Sequence, residues 1–314
     1  MTTPTIRFDQ VHRWFGAHHV LRGLSFDVQP GTVYALLGRN GAGKTTALRI
    51  LLGFLQPLAG TASVFGQDCA ALGAEHRARI GYVGEEHRLY PTMSVAGAIA
   101  FEAGTRPTFR REFAEEAVRR CGLRGKQRVP LLSRGQRAQL SLVLAVASAP
   151  ELLICDDPAL GLDVVMRREF LDVMIDLLAD TGCSVLFSSH FLSDVERVAD
   201  HVGILHEGRL LVDATLDDLK RRVRRCVWLP NDGEAAPVAG DEVLRVGARR
   251  QGFELTLLDA GDATFADLRA RGDLSEPVAP SLEDLFLDLT GPAEPGLLRE
   301  PIDRMLAARA GGVR

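Results

Sequence analysis

Gly38 to Thr45 read GRNGAGKT, which fits the pattern Gly-x-x-x-x-Gly-Lys-Ser/Thr. Glycines at this spacing let the backbone curl so that successive N–H groups point inward at phosphate oxygens. A helix starting there adds the positive end of its dipole. Lys44 then reaches the β- and γ-phosphates of a nucleotide, and the Thr45 hydroxyl ligates Mg²⁺. Average residue frequencies give about a 1% chance of the pattern arising anywhere in so long a chain, so a fortuitous Gly-rich turn is a poor competitor. The expected phosphate-binding set is Gly38, Arg39, Asn40, Gly41, Ala42, Gly43, Lys44, Thr45 and Thr46. A second run, LLICDD from Leu152 to Asp157, is an apolar strand ending in two carboxylates. Such an end lies beside the phosphate loop in a parallel sheet, where Asp156 suits Mg²⁺ and Asp157 suits orienting an attacking water.

These residues need elements to hold them, and the hydrophobic pattern supplies an alternating α/β order through the first two thirds of the chain. Strands are expected at Val33 to Leu37, Ile80 to Val83, Leu152 to Cys155 and Ser184 to Ser188. Helices are expected at about Thr45 to Leu55, Phe109 to Arg120 and Gln136 to Ala147, the last apolar almost all round and therefore buried. Val202 to Leu205 and Arg209 to Val212 read as a hairpin turning at Gly208. Beyond about Lys220 the composition changes. The basic run Arg221 to Arg225 reads as a solvated helix end facing Asp217 and Asp218; a strand at Phe253 to Leu257 and helices near Thr264 to Ala270 and Ser281 to Leu289 follow.

Three further runs carry a resemblance. LSRGQ at Leu132 to Gln136, DDPALGLD at Asp156 to Asp163 and SSH at Ser188 to His190, in that order after the phosphate loop, resemble the nucleotide-binding subunit of an ABC transporter. The similarity covers about residues 5 to 220. Through IGYVGEEHRLYPTMSV at Ile80 to Val95 and PSLEDLFLDLTG at Pro280 to Gly291, the chain is similar to the ATPases of ABC-2-type bacterial exporters. The resemblance implies an ABC-type P-loop NTPase fold, a mixed sheet core plus a helical subdomain at about 85–150. The ATP-binding domain would span 1–220, with a small α+β accessory domain over 221–314. It implies ATP and Mg²⁺ as cofactors, and two partners: a second ATP-binding subunit, identical or not, and an integral-membrane permease. Two subunits packed head to tail would close Ser133, Gly135 and Gln136 of one over ATP held by the other. Glu85 would sense the γ-phosphate, reach the metal and contact the permease. His190 would hold the γ-phosphate and attacking water beside Lys44 and Asp157, and Asp163 would cross the interface. Adenine would stack on Phe15, with Trp14 beside it as the alternative.

Three positions depart from the family pattern. Asp157 stands where Glu is usual, which retracts the carboxylate by roughly 1 Å and slows hydrolysis. Arg39 and Arg134 stand where Pro and Gly are frequent; Arg134, at a helix start, would add positive charge to the closed site.

Composition narrows the function classes. The 314 residues carry a formal charge of -4, and the sequence pI ≈ 6.1 gives no support to nucleic acid as a partner. Five cysteines, Cys69, Cys121, Cys155, Cys183 and Cys226, are odd in number and never spaced Cys-x-x-Cys, which disfavours a disulfide framework or a zinc knuckle. No apolar run is long enough to span a bilayer and no secretory leader is legible, so a cytoplasmic subunit, peripheral to the inner face of the membrane, is expected. The 31 glycines exceed average usage, and the informative ones fall in the motifs above. Two rivals stand beside an exporter ATPase. One is a soluble ABC ATPase of ribosomes or DNA, disfavoured by the single phosphate loop and the short span before Ser133. The other is a weakly catalytic regulatory module, prompted by Asp157. A generic GTPase lacks its Asn-Lys-x-Asp tetrad here.

Overall fold

The computed structural model describes residues 3–179, 181–237 and 242–291. Two compact units divide between Leu210 and Leu211. The first opens with β1 (Ile6–Phe15) and β2 (His18–Val28), an antiparallel pair turning at Gly16, whose φ of 56° lies in the left-handed region. Next come β3 (Val33–Leu37), α1 (Lys44–Leu51), β4 (Ala59–Val64) and β5 (Gln67–Asp68), followed by α2 (Ala74–Ala78) and β6 (Ile80–Val83). A helical stretch holds α3 (Val95–Thr105), α4 (Arg111–Arg120) and α5 (Arg134–Ala147). The chain then runs through β7 (Leu152–Asp156), α6 (Val164–Leu178), β8 (Ser184–Ser189), α7 (Leu192–Val198), β9 (His201–His206) and β10 (Arg209–Thr215), the strand in which the division falls.

Two sheets form, in the orders β2-β1-β4-β5 and β10-β9-β3-β8-β7-β6. In the second, β3 runs parallel to β8 and β9, and β7 parallel to β8 and β6. Strands covered on both faces read as near-continuous apolar runs: Leu152 to Asp156 and Ser184 to Ser189 are buried at every position, with polar residues only at their ends. Parallel order also brings the C-terminal ends of β3, β7 and β8 to one edge, so the segments after Leu37, Asp156 and Ser189 meet there.

The expected strands are present, lengthened by one residue at Asp156 and at Ser189. The helix expected to Leu55 stops at Leu51, because Gly53 takes a left-handed φ of 71° and Phe54 N–H turns back to Arg49 O at 2.9 Å. The expected hairpin is present between β9 and β10, where Glu207 and Gly208 both have positive φ, 47° and 80°.

The second unit holds α8 (Leu216–Arg222), β11 (Val223–Pro230), β12 (Val243–Ala248), β13 (Phe253–Leu258), α9 (Asp262–Arg271), β14 (Gly272–Leu274) and α10 (Leu282–Thr290). Its antiparallel sheet runs β12-β13-β11-β14 around Cys226, Trp228, Leu255, Leu257 and Leu268. The wholly buried Trp228 meets its polar obligation by donating Nε1–H to Leu268 O at 2.8 Å. The basic run is only half a helix end. Arg221 pairs with Asp218 as α8 closes and Arg222 with Asp259, but Arg224 and Arg225 lie in β11. Arg225 meets Glu254, Asp284 and Asp288, so α10 docks on the sheet through ion pairs that no local spacing announces. The C-terminal part of the expected accessory domain, 292–314, lies outside the described residues.

Candidate functional site

β3 ends at Leu37 and the chain crosses Gly38 to Gly43 before α1. A side chain at Gly38 would collide with Leu205 O, and one at Gly43 with Leu21 Cδ2 at 2.7 Å. Gly43, at φ 113°, precedes α1 without capping it by a side chain, and the first turn holds no acidic residue. The N–H groups of that turn therefore face the loop's mouth with a positive dipole and no built-in anion. Lys44 is buried and folds back, its ammonium donating to Gly38 O at 2.6 Å. Burial pulls its pKa down, and Asp157 and Asp156 oppose the shift.

Facing this loop, β7 delivers Asp156 and Asp157. The Thr45 hydroxyl donates to Asp156 Oδ1 at 3.1 Å, and Ser188 Oγ donates to the same oxygen at 3.0 Å. Ser188 Oγ also accepts from Asp157 N at 2.8 Å, tying β7 to β8. Asp157 has a left-handed φ of 44°, a conformation that Asp tolerates better than most residues. Its Oδ2 lies 2.7 Å from His190 Nδ1, while the buried Oδ1 has no hydrogen-bond partner among the described residues. Burial raises the Asp157 pKa, against the His190 hydrogen bond and the charge of Lys44.

Asp156 and Asp157 line an open cleft of ≈ 560 Å³ with Phe15, His18, Val20, Asn40 to Thr46, Arg49, Glu85 and Leu160, whereas Ser188 and His190 lie behind the aspartates and outside this lining. Phe15 is 48% exposed at its edge. Trp14 is already stacked on His19 at 4.0 Å, so of the two aromatics only Phe15 offers a ring to the cleft. Gly38 and Arg39 serve as backbone: their carbonyls receive Lys44, and neither residue lines the cleft. The oxygen-rich set of Thr45, Asp156 and Glu85, with the unpaired Asp157 Oδ1 beside it, has the hard-donor chemistry that Mg²⁺ takes.

Ser133, Gly135 and Gln136 do not line this cleft. They start α5, where Ser133 Oγ accepts from Gln136 N at 3.2 Å and Gln136 Oε1 accepts from Ser133 N at 3.0 Å. This capping box fixes the helix start, and the Gln136 side-chain carbonyl is spent on it. Arg134 lies on Gly161 of its own chain: a Cβ there would overlap the guanidinium, so Arg134 covers the segment between β7 and α6. Met166 covers Gly135 reciprocally. Asp163 caps α6, accepting from Met166 N at 2.9 Å.

Sequence reasoning missed Ser188, the bridge between the two aspartates, although it sits in the SSH run. It missed Arg49 as well, one helical turn beyond Thr45 on α1, and His18, which pairs with Phe15 across the hairpin.

The family described as "ABC transporter" matches residues 21–160. The chain is 33% identical over 222 residues to the bacitracin transport ATP-binding protein BcrA of Bacillus licheniformis, covering 70% of this chain and 72% of that one. This chain belongs to the ABC transporter ATP-binding family. It is 32% identical to the Nod factor export ATP-binding protein I of Paraburkholderia xenovorans, over 93% of this chain and 98% of that one. It is 30% identical to the Fe(3+) ions import ATP-binding protein FbpC 2 of Rhodococcus jostii, over 92% and 82%. A solved ATP-binding subunit of an ABC transporter superposes with TM-score 0.61 at 29% identity, covering 70% of this chain and 92% of that one. The chain is thus an ABC-type ATP-binding protein with the nucleotide-binding domain fold. No helix among the described residues is long and apolar enough to cross a membrane.

Proposed function

We propose that this chain is the ATP-hydrolysing subunit of an ABC-2-type exporter and works as a dimer closed around ATP. The observation that carries the reading is the convergence, in one cleft, of the uncapped start of α1, the buried Lys44 and the two aspartates at the end of β7. Phosphates fit against the α1 N–H groups and Lys44, and adenine fits on Phe15. Thr45, Asp156 and Glu85 would hold Mg²⁺, which when bound neutralises phosphate charge. With Asp157 ionised, its Oδ2 accepts a hydrogen bond from His190 Nδ1–H, which leaves Nε2 as the other ring nitrogen; on this reading Asp157 and His190 together orient water at the γ-phosphate.

Ser133 and Gly135 lie outside their own cleft, which supports their serving a partner's nucleotide through the α5 N-terminus. Loss of the γ-phosphate would remove that bridge and open the dimer. The permease would bind this chain to the cytoplasmic face of the membrane, residues 1–220 forming the motor and the rest an accessory domain. Export rather than import rests on the resemblance of Ile80 to Val95 and Pro280 to Gly291 to that branch, and on the Nod factor relative. A second reading, an ATP-binding subunit with little turnover, is favoured by one observation: the short side chain at Asp157. Titration with Mg-ATP tests the cleft. Lys44→Ala abolishes binding on this account, and retained tight binding refutes it.

A further inference from the structure

Behind His190 runs a chain of contacts that no motif contains. His190 lies 3.9 Å, ring centre to ring centre, from Phe191. The guanidinium carbon of Arg167 sits 4.0 Å over the Phe191 ring, and Arg167 Nε lies 2.8 Å from Asp194 Oδ2. Arg167 and Asp194 side chains are only 15% and 12% exposed. Arg167 also stands one turn into α6, its N–H donating to Asp163 O at 2.9 Å, so the capped start of that helix anchors it. A flat cation held face-on by an ion pair is attracted to the ring beneath it, and the attraction strengthens when water is excluded. Phe191 thereby packs against both the Arg167 guanidinium and the imidazole. His190, hydrogen-bonded to Asp157 through Nδ1, gains a wall that limits its rotation.

We infer that Arg167 is a positioning residue for His190, acting through Phe191, so that the start of α6 sets the geometry of the Asp157–His190 pair. This rests on the proposed role of His190 in hydrolysis. Three substitutions at two positions separate stacking from charge. Arg167→Lys keeps a cation for Asp194 and removes the flat face; Phe191→Tyr keeps the ring, while Phe191→Leu removes it.

The experiment is steady-state ATP turnover of the full chain, with thermal midpoints recorded for every variant. Arg167→Lys and Phe191→Leu each lower kcat about tenfold, leaving KM for ATP and the midpoint in place, and Phe191→Tyr retains wild-type turnover. In a His190→Ala background, Arg167→Lys costs nothing further. Wild-type kcat in Arg167→Lys, or a full additional loss in the His190→Ala background, overturns the inference. Should turnover be too slow to compare, the imidazole proton shifts of labelled His190 decide: Arg167→Lys moves them, and unmoved shifts overturn the inference. A chain that binds no Mg-ATP sinks the proposed function instead, so the two failures are distinguishable.

Discussion

Asp157→Glu should speed hydrolysis. Among the described residues the Asp157 carboxylate is anchored on one side only, by His190 at 2.7 Å, and its Oδ1 has no hydrogen-bond partner. One added methylene advances the carboxylate by roughly 1 Å toward the cleft, and a displacement of that size is worth up to about 10²-fold in rate, or about 2.7 kcal/mol of barrier. The left-handed φ of 44° opposes the change. Asp tolerates that conformation better than Glu, so the variant should lose about 1 kcal/mol of stability, a drop of roughly 2–4 °C in Tm for a unit of this size. The assay is phosphate release at saturating Mg-ATP, with Asp157→Asn as the control lacking a carboxylate. A rise in kcat at unchanged nucleotide affinity supports the reasoning. Unchanged turnover in a folded variant that still binds ATP refutes it, and so does an Asp157→Asn variant as active as the wild type.

Two other predictions follow from the geometry. Ser133→Ala removes the cap of α5 and should cost about 1 kcal/mol in denaturant titrations while Mg-ATP binding to the isolated chain stays at wild-type strength; weakened binding would place Ser133 at its own cleft instead. Burial is the largest cause lowering the His87 pKa from 6.5 to about 4, with the Pro158 carbonyl opposing and the charges of Arg134 and Arg137 adding to the fall. An unfolded His87 takes up its proton below about pH 6.5 and the native one only below about 4. Stability is therefore full above pH 6.5 and lost progressively as pH falls between those values, by roughly 3 kcal/mol in all. His87→Leu should flatten that limb of a Tm-against-pH curve, and an identical curve would show that other groups carry it.

The sheet and the phosphate loop were readable because each signal in them is local. Continuous apolar runs mark the covered strands, and glycines recur where a side chain would meet Leu205 O or Leu21. Helix ends were less legible: Gly53 ends α1 by its backbone, and apolar residues continuing past it masked the stop. What depends on packing between distant segments left no trace in spacing. Ser188 looked like half of a motif and proves to join two aspartates; Arg225 looked like part of a solvated run and proves to meet three carboxylates. Arg134 was expected to charge a closed site, and in the chain it covers Gly161.

The central claim is that ATP in this cleft joins two copies or two related subunits through the start of α5. Sedimentation of the Asp157→Asn variant, which retains the cleft but lacks the carboxylate, tests it with and without Mg-ATP. The account predicts a shift from monomer to dimer with Mg-ATP, absent with Mg-ADP and absent when Ser133 is also replaced by Arg. A variant that binds Mg-ATP and remains monomeric, both alone and when mixed with any second ATP-binding subunit that copurifies with the chain, would contradict it.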